Sequence, residues 1–262
     1  PGIASAYYQL GSIYSDWGKY QQAINYYQQS KEIYQKLDKH QNVARILSWL
    51  ASCYQDLKDY QKAIEYCQES LTLHQQLNQQ QTIARSYWQI AESQISLAKN
   101  TSNQAEISEL LTKAEENTNQ AIKIDIEHEY KQYLAYDYIV FSLLCSENLR
   151  LIPNNSSRQE RITLFEEYYY KAFIHFDELG QKITKSGQAL KIARAYLEVE
   201  ALENIDKSEE IAKECLQVFQ EYNRRKLEAK VRKLLGEIYQ QRAQKNQPDT
   251  ESNANQFLSE SL

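Results

Sequence analysis

The strongest constraint on this chain is an internal repeat. The segment ASAYYQLGSIYSDWGKYQQAINYYQQS from Ala4 returns as ARILSWLASCYQDLKDYQKAIEYCQES from Ala44, and its first half returns again as ARSYWQIAESQISLA from Ala84. The spacing is 40 residues each time: Gly11, Ala51 and Ala91 share one slot, Tyr7, Leu47 and Tyr87 another, and Leu10, Leu50 and Ile90 a third. Self-similarity at a fixed period of this size means stacked units, each burying its apolar face only against its neighbours. A chain built this way offers a surface for holding something rather than a pocket for chemistry.

Within each unit the period is helical. Tyr7, Leu10, Gly11 and Tyr14 fall at i, i+3, i+4 and i+7 and so share one helix face, and Ala23, Tyr27 and Ser30 repeat that spacing on a second segment. Asp16–Tyr20 separates the two, and Gly18 suits a tight helix-ending turn. The small residue in the Gly11/Ala51/Ala91 slot lets the partner helix approach closely, so that large and small side chains interlock. The unit is predicted to be an antiparallel helix pair. Few Gly and Pro and no alternating runs make the whole chain all-α.

These residues resemble the tetratricopeptide repeat (TPR) signature: an aromatic or Leu, then Leu, Gly/Ala and Tyr, and later Ala, an aromatic and a small residue. The first unit fills those slots with Tyr7, Leu10, Gly11, Tyr14, Ala23, Tyr27 and Ser30, and the second with Leu47, Leu50, Ala51, Tyr54, Ala63, Cys67 and Ser70. The family's usual unit has about 34 residues, so the longer period here predicts longer helices. Long units of this kind look like those of kinesin light chains, G-protein-regulator scaffolds and bacterial signalling proteins. The family's closing Pro is missing. The resemblance implies a TPR-type α-solenoid, a right-handed superhelix of antiparallel helix pairs.

The pattern continues with less regularity. Leu235, Gly236 and Tyr239 fit the slots of Leu50, Ala51 and Tyr54, and Ala195 and Tyr196 lie one period earlier. A further first helix falls around Ser142. Polar stretches at Asn100–Glu109 and Pro153–Gln159 read as the extra length between irregular units. The predicted repeats are 3–40, 43–80, 83–127, 132–182 and 187–224, with a capping helix over 228–244 and a disordered tail over 245–262.

Composition removes several function classes. No apolar run reaches the length of a membrane span. The chain opens at Pro1-Gly2 and contains no Met, which reads as an excised piece of a larger protein. Its four Cys form no CxxC pair and read as small core residues of a cytoplasmic protein. The four His lack ligand spacing, so no metal is expected; His40 and His74 read as lying near the ends of second helices, where a cation suits the helix dipole. No nucleophile elbow or paired-carboxylate setting appears, so neither an enzyme nor a cofactor is expected. A net charge of −5 with interspersed basic residues disfavours nucleic acid and membrane surfaces; the one dense basic cluster, Asn223–Lys233, reads as a solvated helix surface.

A protein or peptide partner remains. In TPR arrays the first helices line the groove, and by the family's slots the residues offered there are Tyr8, Ser12, Arg45, Ser48, Ser52, Arg85, Trp88 and Glu92. Arg45 and Arg85 occupy equivalent slots one repeat apart and could grip carboxylates of a peptide, with Trp88 and Tyr8 as aromatic anchors; pairing with acids such as Asp56 or Glu92 is the competing expectation. The clamp of chaperone-tail-binding TPRs and the Asn ladder of kinesin light chains are both missing, since Tyr8, Ser12, Gln9, Trp49 and Gln89 stand in those places. Aromatics crowd the middle of the chain, and an aromatic pocket around Tyr136, Ile139 and Leu143 is a second candidate. The leading function is a scaffold or sensor module that binds a peptide or helix of a partner. A receptor for a small signalling peptide, as in TPR quorum-sensing regulators, and a homo-oligomerisation module are the alternatives.

Overall fold

The computed structural model describes residues 2–151 and 156–244, which form α-helices and short connections. The chain divides into two compact units, the first ending at Val140 and the second starting at Phe141. Unit one holds α1 (Gly2–Asp16), α2 (Tyr20–Lys36), α3 (His40–Asp56), α4 (Tyr60–Gln76), α5 (Gln80–Asn100), α6 (Gln104–Glu127) and the first part of α7 (Lys131–Asn148). The helices pack in the pairs α1–α2, α3–α4 and α5–α6, and α2 and α4 also pack on α3 and α5, the first helices of the next pairs.

One backbone device ends most of these helices. Gly18 (φ 73°), Asp38 (51°), Lys58 (63°), Asn78 (52°) and Glu129 (57°) adopt left-handed backbone just past α1, α2, α3, α4 and α6. The next N–H in each case turns back to a carbonyl five residues earlier, as in Lys19 to Tyr14 (2.9 Å), Asp59 to Tyr54 (2.9 Å) and Tyr130 to Asp125 (2.8 Å). This cap satisfies carbonyls that the helix leaves orphaned. Only Gly takes that conformation without strain, so Lys58 holds it at a cost of about 1–2 kcal/mol.

Small-to-large complementarity sets the spacing inside each pair. Gly11 lies so close to the Tyr27 ring that a Cβ would sit 2.7 Å from ring carbons. In the second pair Ala51 takes the glycine's place, and Cys67 takes the tyrosine's, both in one buried cluster. Buried serines clasp the pairs: Ser30 Oγ donates to the Ala4 carbonyl (2.7 Å) and Ser70 Oγ to the Ala44 carbonyl (2.9 Å). Leu10 departs from its expected core slot. It is exposed together with Ile3 and Ile13, whereas Val43, Leu50 and Cys53, one repeat on, are buried against the preceding pair.

Two further expectations are corrected. The polar stretch Asn100–Glu109 is mostly helix, because α5 and α6 lengthen to 21 and 24 residues and leave only Thr101–Asn103 between them. Asn103 caps α6, accepting from the N–H groups of Ala105 (3.1 Å) and Glu106 (3.4 Å). His40 opens α3 instead of closing a helix. His74 does lie in the last turn of α4, but it is buried and its Nδ1 meets Gln79 Oε1 at 2.9 Å. Burial pushes its pKa below the ordinary value, so it serves as a neutral packing group and not as a cation on the helix dipole.

Unit two holds the rest of α7, α8 (Ser156–Glu178), α9 (Lys182–Glu198), a 3-10 turn (Glu200–Leu202), α10 (Ile205–Glu221) and α11 (Arg225–Gln244). Its core takes part of the aromatic excess of the middle of the chain: Phe141, Phe165, Tyr169 and Phe176 are buried and the Tyr168 ring stacks on Phe141 at 4.2 Å, whereas Tyr170 is exposed. Tyr169 and Tyr196 bring their hydroxyls within 3.2 Å, and Tyr196 donates to Glu166 (3.0 Å). Ser142 and Ser208 clasp carbonyls of Phe165 and Ala193, both at 2.8 Å. Near the end of α11, Arg242 pairs with Asp206 and Glu209, and the Tyr239 hydroxyl also donates to Glu209 (2.8 Å). The tail expected over 245–262 lies outside the described residues. No helix among the described residues is long and apolar enough to cross a membrane.

Candidate functional site

The first helices of unit one carry a ladder of alternating rings and guanidiniums. Residues one repeat apart on α1, α3 and α5 stand side by side, so Arg45 reaches back over Tyr8, with Cζ 4.9 Å from the ring centroid. Arg85 does the same one repeat later over Trp49, at 6.0 Å. The rings are themselves braced, since Tyr8 and Trp49 pack on the buried Tyr27 at 5.9 and 6.4 Å. What the structure sets against each of these exposed guanidiniums is a ring. Such cation–π contacts hold the charge in place.

Two recesses flank Arg85. The first, about 300 Å³, runs between α3 and α5 and is lined by Asn42, Arg45, Ser48, Trp49, His74, Gln79 and Arg85, among others. The second, about 280 Å³, is lined by Arg85, Trp88, Asp125, Gln132, Tyr133, Tyr136 and Asp137. Trp88 and Tyr136 meet edge to face at 5.7 Å in its wall.

The other predicted site residues divide by environment. Ser48 lines the first recess, but its hydroxyl is tied to Ser70 Oγ (2.8 Å) and so bridges α3 and α4. Ser52 donates to the Ser48 carbonyl and accepts from Gln89 Nε2 (3.3 Å), which ties α3 to α5. Ser12 and Glu92 are half-buried and line neither recess. Tyr136 lines the second recess. Ile139 and Leu143 are corrected: they are buried core residues and line neither recess.

Sequence reasoning missed the acid pair. Asp125 and Asp137 are each 1% exposed yet line the second recess. Both oxygens of Asp125 and Oδ2 of Asp137 are buried and meet no donor. Burial pushes both carboxyls above the ordinary carboxylate range, and the charge of Asp125 pushes Asp137 further. The signal was present in Tyr136-Asp137-Tyr138, an acid inside a run that is otherwise apolar or aromatic.

Stacked antiparallel helix pairs with a residue-lined face of this kind define an α-helical repeat protein. Family models of the tetratricopeptide repeat match residues 4–37 and 42–102. These residues carry tetratricopeptide repeats. No curated protein matches the chain. Among solved structures it is similar to the apo form of RapI, with a TM-score of 0.68 and 13% identity over 99% of this chain and 82% of that one. Aspartyl phosphate phosphatase F from Bacillus subtilis gives 0.67 and 16% over 98% and 58%. The Rap conjugation gene regulator of the plasmid pLS20, solved in complex with the Phr* peptide, gives 0.64 and 11% over 97% and 62%. The chain spans about three fifths of the length of the last two. At these identities the likeness is one of fold.

Proposed function

We propose that unit one binds an extended peptide or a helix of a partner protein along the ladder face of α1, α3 and α5. The observation that carries this reading is the pair of exposed guanidiniums, Arg45 and Arg85, each resting on a ring and together bordering the first recess. A guanidinium held beside a ring still carries the paired donors for bidentate contact with a carboxylate, so acids of the partner belong here. The aromatic anchors beside them supply apolar contact at low entropic cost. The complex of one fold relative with the Phr* peptide favours a peptide as one form the partner takes.

The test is capture of partners from the source lysate by the wild-type protein beside an Arg45→Glu/Arg85→Glu variant, with helicity of the two matched. Both arginines are exposed, so the exchange leaves the core intact. A partner bound by the wild type and lost from the variant supports the reading. A partner held equally by both rules out the ladder as its site.

A further inference from the structure

We propose that the second recess takes the cationic side chain, guanidinium or ammonium, of a bound peptide. This deepens the peptide-binding reading and rests on it. The recess lies against Arg85, at the end of the ladder, so a chain lying along the first helices reaches it without a detour. Its floor holds Asp125, in the last turn of α6, and Asp137 of α7, both almost fully buried.

Three carboxyl oxygens and the Nε1 of Trp88 are buried there with no hydrogen-bond partner. Buried acceptors without donors are costly, and buried charges are ordinarily paired. A proton shared between the two carboxyls answers one oxygen on each side, which still leaves an oxygen of Asp125 without a donor. Arg brings five N–H donors and Lys three, each with the positive charge that the pair lacks. The walls suit a cation as well, because Trp88, Tyr133 and Tyr136 line the recess and aromatic faces attract positive charge. The unpaired indole N–H is left for a carbonyl oxygen of the ligand's main chain.

The existing positive charges do not fill this role. Arg85 lines the recess, but its guanidinium rests over Trp49. His128, in the turn after α6, draws the Asp125 carboxyl down by its charge, yet its own Nδ1 is engaged with the Ile124 carbonyl at 3.0 Å. A ligand cation therefore meets a site with matching charge and unmet acceptors.

The test titrates capped, alanine-flanked peptides whose central residue is arginine, lysine or citrulline, the neutral isostere of arginine. Binding is read from the Trp88 indole N–H resonance, assigned by its loss in Trp88→Phe. The arginine or the lysine peptide is expected to move that resonance and to bind at least about tenfold more tightly than the citrulline peptide. Asp125→Asn/Asp137→Asn, which preserves shape, should abolish that preference. Equal binding of all three peptides, no movement of the resonance with any, or a preference that survives in the double variant would each overturn the proposal. The comparison in wild-type protein needs no variant to fold. A charge preference at Trp88 with partner capture insensitive to Arg45→Glu/Arg85→Glu would sink the ladder alone, and the reverse would sink the recess alone.

Discussion

Gly11→Ala separates close packing from helix propensity. An added Cβ would lie 2.7 Å from Tyr27 Cδ1 and Cε1 and 3.0 Å from Cγ, where carbon pairs are comfortable at about 3.5–4.0 Å. The ring must therefore give way by about 0.8 Å. It has little room, being fully buried between Tyr8 and Trp49. Overpacking of this kind costs about 1–3 kcal/mol, and the better helix propensity of Ala returns about 1 kcal/mol. The net expectation is a loss of about 1 kcal/mol. In a Tyr27→Cys background, which copies the Ala51–Cys67 pairing of the next repeat, the clash is gone and the same substitution should gain about 1 kcal/mol. The coupling between the two sites is then about 2 kcal/mol, well beyond what independent sites show. Urea unfolding followed by circular dichroism, with hydrogen exchange of α1 and α2 because repeat arrays lose two-state behaviour, measures all four proteins. If Gly11→Ala stabilises both backgrounds equally, Gly11 is a propensity defect and the close-approach argument is wrong.

Other outcomes follow from single features. Lys58→Gly relieves left-handed strain just past α3 and should stabilise by up to about 1 kcal/mol in the same unfolding assay, while Lys58→Ala should not. Asp125 and Asp137 have folded pKa values raised above the unfolded value of about 3.9, so the folded state binds the extra protons. Their contribution to unit one is accordingly full below about pH 4 and is lost as pH rises through the raised values. The difference between wild type and Asp137→Asn across pH should show that slope, and a flat difference would refute it. Burial pushes the thiols of Cys67 and Cys215 up to about 12 and that of Cys53 up to about 11. At neutral pH a thiol reagent should therefore label them only after urea unfolds the chain.

The repeat register was legible because packing writes it directly into residue size: Gly11 against Tyr27 and Ala51 against Cys67 recur at a fixed spacing. Leu10 misled because a slot's burial depends on a preceding pair packing on it, and slot identity alone does not reveal whether one does. The stretch Asn100–Glu109 misled for a different reason. Polar residues on an exposed helix face look like loop when no Gly or Pro punctuates them. The spacing of Arg45 and Arg85 was visible, but their stacking on Tyr8 and Trp49 was not, since each contact joins neighbouring repeats through side-chain reach. The acid pair was missed because periodicity assigns Asp to the surface by default, whereas Asp125 and Asp137 occupy packing positions on α6 and α7.

The stacking of Arg45 and Arg85 has a kinetic and geometric side. A free arginine loses rotamer freedom when it grips a ligand, at about 0.5–1.5 kcal/mol per side chain. Here that ordering has been settled during folding, by Tyr8 and Trp49. A partner's carboxylate meets each guanidinium best in its plane, where the paired N–H donors point. The face therefore discriminates by direction of approach as well as by charge, and lysine, which has no plane to offer, would keep the charge at these positions and forfeit the direction.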